Sequence, residues 1–477
     1  MTQLALLVHS NRYKKHINGF IVMGTIWVPT LDNFKGPLYV RLAEAAELAI
    51  KNGQLPPESK LPPQRQLADK VAVTVGTVTR AYALLEQRGY VYAKVGAGTF
   101  VKGSHYQSKP ESANFATCEQ PLTNQISIVS DALSELAKEP HTIGQLMQYH
   151  ADPLPEHQLK FSQWLHGRQI PQTAAQIVFS HGAQQGIFAV LNGLMNAGEY
   201  LLCEENCYPG IKVAAQQLGI NIEKVTLSEE GLNLDELERQ IVRYKPKAIY
   251  LTPNNQNPTC IQYNLQQRQT IIAFARQYDV VIIEDDVNYC LPEEWHTPMW
   301  CLDQATSDDE QQQKVVYLSS LSKLFCGGLR QGFLLCPLPL LAKIKQALYS
   351  QCWMVSPLNT ELACRIISNK AYMGEREQQI AQRQQQCIAM GERLKLTHTW
   401  RGLNGWLKLA LPLKSHHVVA ALAAEGILIR DGDDFDNLHN HIRLSIGGTC
   451  DEIEFKKQLE LIESTILKLS QSSYSFV

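Results

Sequence analysis

Long apolar runs are missing from this sequence. None approaches the ~20 residues of a membrane-spanning helix. A signal peptide is missing too: the first 22 residues hold Arg12, Lys14 and Lys15, but no sustained apolar core ahead of a small-residue cleavage site. Paired cysteines are absent. The 12 cysteines are scattered, no Cys-x-x-Cys occurs, and no histidine at ligand spacing joins the nearest pair, Cys203 and Cys207. That argues against a metal site or a disulfide framework and for buried free thiols. Together these absences predict a cytoplasmic chain with no membrane partner.

Net charge is also scarce, at −2 over 477 residues, but it is unevenly spread. Residues 37–102 hold nine Lys/Arg against five Asp/Glu, and residues 1–36 hold four against one. The remainder therefore carries the negative balance. A basic front on an acidic body suggests that the front meets a polyanion. The length predicts two or more domains, and a hydrophobic fraction of 45% allows ordinary cores.

Residues 1–36 form an arm with little periodicity, within which Met23-Gly24-Thr25 resembles an ordinary protein start. Residues 37–102 are readable. Leu42, Ala45, Ala46, Ala49 and Ile50 recur at helical spacing, and Gly53 supplies a stop. Pro62 and Pro63 open a short second helix. Thr74 is an N-cap for a third, whose apolar face is Val78, Ala81, Tyr82 and Leu85, and Gly89 ends it. Tyr90 to Ala93, a glycine turn at Gly96 and Gly98, and Thr99 to Val101 predict a hairpin. Three helices and a hairpin make a winged helix-turn-helix. Its third helix offers Thr74, Thr77, Thr79 and Arg80, short donors and one cation suited to phosphates and base edges.

The stretch from Pro37-Leu38-Tyr39 through Leu61-Pro62-Pro63-Gln64-Arg65-Gln66-Leu67-Ala68 to Gly96-Ala97-Gly98-Thr99-Phe100-Val101 resembles the GntR-type DNA-binding domain. The resemblance implies contacts to double-stranded operator DNA from Arg65, Thr74, Thr77, Thr79 and Gly96. Val75 and Gly76 stand where some relatives place polar or basic residues, which bears on base preference and not on fold.

Residues 103–121 are polar and weakly periodic, as in a linker. From 122 to 477 apolar strands alternate with helices, as in an α/β domain. Ile177 to Ser180 leads into Gly182-Ala183-Gln184, small residues at a helix start that leave amides free for phosphate. Tyr200 to Glu204 leads to Tyr208-Pro209. Ala248 to Thr252 leads to Pro253 through Thr259, and Val280 to Ile283 leads to Glu284-Asp285-Asp286. Val315 to Leu318 leads to the loop Ser319-Ser320-Leu321-Ser322-Lys323, with Arg330 seven residues on. Ligands of open α/β sheets gather at carboxyl ends of strands. A lysine held there can condense with an aldehyde, and the serines and arginine beside it suit a phosphate. Each piece alone is ordinary; five in sequence at strand ends are hard to produce by chance.

The set is similar to the fold-type I pyridoxal-phosphate enzymes, the aminotransferase group, over roughly residues 123–460. That resemblance implies a large mostly parallel sheet domain with a smaller α/β domain. It implies that Lys323 bonds the cofactor and that Asp285 pairs with its ring nitrogen, keeping the ring an electron sink. Asn257 donates to the ring oxygen and Tyr208 stacks on the ring. Gly182, Ala183, Gln184, Ser320, Ser322 and Arg330 hold the phosphate. Tyr149 matches a tyrosine that reaches the phosphate of a neighbouring subunit, which implies a homodimer. Arg443, in His441-Ile442-Arg443-Leu444-Ser445, matches the arginine that grips an amino-acid carboxylate. Three positions depart from the pattern: Asn288 stands for the usual tyrosine, with Tyr289 next door, Cys260 for a glycine after Asn-Pro-Thr, and Leu154 for another glycine.

A GntR-type domain ahead of an aminotransferase-like domain is the layout of the MocR regulators. The expectation is a pyridoxal 5'-phosphate-dependent transcriptional regulator sensing the cofactor or its adducts with amino compounds. The alternative is a working aminotransferase, with possible weak transaminase activity. A third reading is a DNA-binding protein whose body takes no cofactor.

Overall fold

The computed structural model describes residues 27–101 and 113–474, apart from short gaps at 33, 53, 57–58, 88–89, 95–97, 151, 308, 370, 372, 374, 437–438 and 449–450. Met23, Gly89 and the wing glycine Gly96 lie outside the described residues. The chain divides into two units, 1–111 and 112–477.

In the first unit, helices α1 (Leu38–Lys51), α2 (Gln64–Lys70) and α3 (Val75–Gln87) precede strands β1 (Val91–Lys94) and β2 (Gly98–Val101). The strands pair antiparallel, Val91 opposite Val101. The expected apolar faces close on one another. Leu42, Ala45, Ala46 and Ala49 of α1 share a core with Val78, Ala81, Tyr82 and Leu85 of α3. Pro63 precedes α2 without a side-chain cap, so the proline's fixed φ does the work of starting the helix.

The second unit is built on a seven-stranded sheet, ordered β4-β12-β11-β10-β9-β5-β6. Its strands are β4 (Ile177–Ser180), β5 (Tyr200–Glu204), β6 (Asn221–Val225), β9 (Ala248–Leu251), β10 (Val281–Asp285), β11 (Val315–Ser320) and β12 (Gly332–Leu335). β12 runs antiparallel to β11 and β4; the other neighbours are parallel. Both faces are covered, which is why the strands read as unbroken apolar runs. Side chains alternate between two cores: Ile282, Val315 and Tyr317 face one, and Ile283, Val316 and Leu318 face the other. A small hairpin, β7 (Leu227–Ser228) and β8 (Gly231–Leu232), follows β6. The smaller lobe is an antiparallel sheet ordered β13-β14-β17-β16, from β13 (Thr397–Arg401), β14 (Asn404–Lys408), β16 (Arg430–Asp431) and β17 (His441–Ser445).

Two stretches differ from the sequence reading. Residues 113–121 were expected to be linker, yet they are threaded into the body. β3 (Ala113–Asn114) pairs in parallel with β15 (Ile427–Leu428), and Phe115 and Cys118 are buried in the smaller lobe's core. The backbone of a polar, aperiodic stretch can be satisfied by sheet and side-chain partners that no local pattern announces. The second stretch is the lysine loop. Ser319 and Ser320 complete β11, and Lys323 lies on one helical turn, Leu321–Leu324, capped by Ser320 Oγ from Ser322 N at 3.0 Å.

Candidate functional site

The carboxyl ends of β5, β9, β10 and β11 open on one cavity of about 600 Å³. Lys323, Asp285, Asn257, Tyr208, Ala183, Gln184, Ser320, Ser322, Arg330 and Arg443 all line it. Gly182 lies beneath its wall. Ten of the expected body residues therefore meet at one place.

Asp285 is the last residue of β10. Tyr250 Oη donates to its Oδ2 at 2.5 Å, and Val287 N–H donates to Oδ1 at 3.1 Å. Burial pushes the Asp285 carboxyl up to about 7, against the pull of those two donors. A protonated ring nitrogen beside it would hold it ionised.

At the other side of the cavity is an anion cradle. Gly182 has φ +78°, and a Cβ there would come within 2.3 Å of Arg330 Nη2. Only glycine lets the guanidinium lie across the start of helix Ala183–Leu194, whose first amides have no intrahelical acceptors. Arg330 makes only long contacts, 3.5 Å to Ser322 Oγ, 3.4 Å to the Gly327 carbonyl and 3.3 Å to the His181 carbonyl. Gln184 Nε2 is spent on Gly210 O at 2.9 Å.

Arg443 enters from β17. Its Nη1 donates to Asn257 Oδ1 at 2.9 Å and its Nη2 to Ala116 O at 2.6 Å, with the Phe435 ring centroid 5.4 Å from the guanidinium carbon. It is 6% exposed, its Nε is buried without a partner, and no carboxylate pairs with it among the described residues. Because its Oδ1 is engaged, Asn257 keeps its amide N–H groups as donors.

Several site residues carried no sequence signal. Glu204, fully buried, accepts from Thr252 N (2.9 Å), Thr252 Oγ1 (2.8 Å), Gln256 Nε2 (3.0 Å) and Tyr263 Oη (2.7 Å). It thereby pins the loop that carries Asn257. Tyr250, Phe435 and Ala116 were also missed. The departures resolve individually. Cys260 adopts φ +61°, the glycine-like conformation, with its thiol 3.4 Å from Asn404 O. Asn288 lines the cavity and donates to Asn255 O at 2.9 Å. Tyr289 does not stand in for the family tyrosine, because its ring is buried in the smaller lobe's core. Leu154 starts helix Pro155–Gly167 without distorting it.

Tyr149 does not join the cavity within one chain. It is 77% exposed, with its ring centroid 4.8 Å from that of Trp353.

In the first unit Arg65, Thr74, Thr79 and Arg80 are exposed and Thr77 is half-buried. Thr74 caps α3, its Oγ1 accepting from Thr77 N at 3.2 Å and lying 2.9 Å from Thr77 Oγ1. Thr79 is within donating distance of Gln64 Oε1, 2.8 Å, and Val75 O, 3.0 Å, so its proton ties α3 internally, to α2 or to its own first turn.

Residues 113–457 match the family described as aminotransferase class I and II. The chain belongs to that family. Residues 38–101 match the gntR family of bacterial regulatory proteins. The two together give the MocR-type architecture of a DNA-binding transcriptional regulator. The chain is 29% identical over 374 residues to an uncharacterized HTH-type transcriptional regulator, YdeF, of Bacillus subtilis, covering 74% of this chain and 77% of that one. It is 26% identical over 406 residues to the vitamin B6 salvage pathway transcriptional repressor PtsJ of Salmonella typhimurium, covering 80% and 87%. Among solved structures, the α-aminoadipate aminotransferase LysN of Thermus thermophilus shares the fold with TM-score 0.67 at 21% identity, covering 76% of this chain and 96% of that one.

The aminotransferase class I and II family uses pyridoxal phosphate. The residues fit that group: a lysine for its aldehyde, a buried carboxylate for its ring nitrogen, and a glycine-floored arginine cradle for its phosphate. No helix among the described residues is long and apolar enough to cross a membrane, and none of their His, Cys, Asp or Glu groups could hold a metal ion.

Proposed function

We propose that this regulator binds pyridoxal 5'-phosphate covalently at Lys323 and reads amino compounds that react with it. The carrying observation is Arg443, a buried cation with no acidic partner among the described residues, lining the same cavity as Lys323 and Asp285. A buried charge without a counter-charge calls for an anion. An amino acid offers a carboxylate to Arg443 and an amine toward the lysine end.

When bound, the cofactor supplies an aldehyde that condenses with amines and a ring that withdraws electrons. Asp285 then holds the proton at the ring nitrogen. Asn257 donates to the ring oxygen, and Tyr208 covers the ring. Arg330, Ser320 and Ser322, with the amides of Ala183 and Gln184 above Gly182, hold the phosphate. Arg443 orients a carboxylate. The vitamin B6 salvage repressor among the relatives supports a cofactor-linked signal.

The working unit is a homodimer. Tyr149, Met147, Tyr349 and Trp353 are an exposed apolar group beside a cavity of about 290 Å³, which suits a second copy of the chain. The output is binding of duplex operator DNA by α2, α3 and the wing, with Arg65 and Arg80 as exposed cations.

A working aminotransferase is the second reading, favoured by the complete lysine, aspartate and arginine set. The test titrates selected duplex DNA against the full chain, with and without pyridoxal phosphate, across a panel of amino acids. A shift in DNA affinity supports sensing. Rapid transamination with no change in DNA affinity supports the enzyme.

A further inference from the structure

The two cations that would receive the ligand are both held by one short piece of backbone. Lys323 Nζ donates to Cys118 O, and Arg443 Nη2 donates to Ala116 O at 2.6 Å. The same piece clamps the lysine from behind, since Gln120 Nε2 donates to Lys323 O at 2.7 Å. Residues 113–120 are also where the chain enters the body after the DNA-binding unit.

The segment is built to lie there. Phe115 N donates to Leu428 O and Ser445 N to Phe115 O, both at 2.8 Å, which ties it to β15 and β17. Asn114 Oδ1 accepts from Ala116 N at 3.1 Å and Thr117 N at 3.0 Å, turning the chain into the cavity. Glu119 then passes over Gly447, where a Cβ would stand 1.5 Å from the Glu119 carbonyl oxygen. Only glycine permits that crossing.

We propose that residues 113–120 form a strap whose position reports the chemical state of Lys323. The inference rests on the cofactor reading above. An ammonium offers three N–H donors. When the lysine condenses with an aldehyde, a C=N bond forms, two of those hydrogens leave with the aldehyde oxygen as water, and the positive charge stays on the protonated imine. At most one N–H remains, and it is fixed in the plane of the new double bond. The nitrogen then loses the freedom to meet Cys118 O. Arg443 adds a second input. Both two-point forks it offers a carboxylate, Nε with Nη2 and Nη1 with Nη2, include the nitrogen that Ala116 engages. An anion there sets its charge against the Ala116 carbonyl.

Cys118 supplies the readout: its side chain is buried with the strap seated as it is here, and release of the strap would expose it. The full chain is treated with iodoacetamide, and alkylation of the Cys118 peptide is timed by mass spectrometry. Three samples are compared: protein alone, with pyridoxal phosphate, and with pyridoxamine phosphate, which has no aldehyde. Pyridoxal phosphate is expected to accelerate alkylation at Cys118 by about fivefold or more, as a shift from a seated to a released population. Pyridoxamine phosphate is expected to leave it slow. Gly447→Ala should be fast without any cofactor, and Gln120→Ala serves the same purpose if that variant fails to fold. Covalent uptake at Lys323 with unchanged Cys118 alkylation overturns the strap alone. Equal acceleration by both compounds overturns the lysine as its trigger. No uptake at Lys323 overturns the cofactor reading, and the strap with it.

Discussion

Tyr250 Oη donates to Asp285 Oδ2 at 2.5 Å, from the strand next to the one that ends in the aspartate. The tyrosine is fully buried, so this hydroxyl fixes one carboxylate oxygen and leaves the group aimed into the cavity.

Asp285 should make stability pH-dependent. Burial raises its carboxyl to about 7 from the usual 3.8. Between those values the folded chain keeps a proton that the unfolded chain has lost, so stability falls as pH rises through that window. Asp285→Asn removes this contribution. Its Tm relative to wild type should climb between pH about 4 and 7 and then level off, while cofactor retention drops. Parallel Tm curves for the two proteins across that range would count against the assignment. Glu284, also raised to about 7 by burial, contributes equally to both proteins and cancels.

Arg443→Ala should keep cofactor uptake and basal DNA binding yet lose the response to carboxylate-bearing effectors. A coupling of about 1–3 kcal/mol corresponds to a roughly 5–150-fold change in DNA affinity. Wild type and variant are titrated with duplex DNA across amino acids and the matching amines. Equal shifts in both proteins would make Arg443 structural.

Much of this was legible in sequence, and the limits have physical causes. The strands were readable because both sheet faces are buried, so Val315 to Leu318 is apolar throughout. Lys323, Asp285, Tyr208 and Asn257 were readable because they stand at or past the ends of such runs, whereas Arg443, inside β17, was legible only through the resemblance of its motif. The strap was not. Ala116, Cys118 and Gln120 act through two carbonyls and one amide, and backbone acceptors leave no trace in residue type. Glu204 looked like an ordinary strand end because its four donors come from a loop some 50 residues away. Asn288 shows a third limit: its difference from tyrosine was visible, but the burial of Tyr289 elsewhere was not.

Arg65→Ala should weaken DNA binding at low salt and flatten its salt dependence. Each lost phosphate contact reduces the log–log slope by about 0.9. Cofactor absorbance should be unchanged. A variant with wild-type slope and affinity would remove Arg65 from the interface.

Trp353→Ala removes the ring against which Tyr149 packs. Sedimentation should show a shift toward monomer at low micromolar concentration. Tyr149→Phe should leave the dimer intact and loosen the cofactor, since only the hydroxyl is lost. A variant pair that remains dimeric with undiminished cofactor affinity would separate this face from the site.

The most direct test is covalent. The full chain is incubated with pyridoxal phosphate, reduced with borohydride and digested, and each lysine peptide is weighed. The account predicts a phosphopyridoxyl group on the peptide containing Lys323, lost in Lys323→Ala. Label confined to another lysine, or none at all, would contradict it.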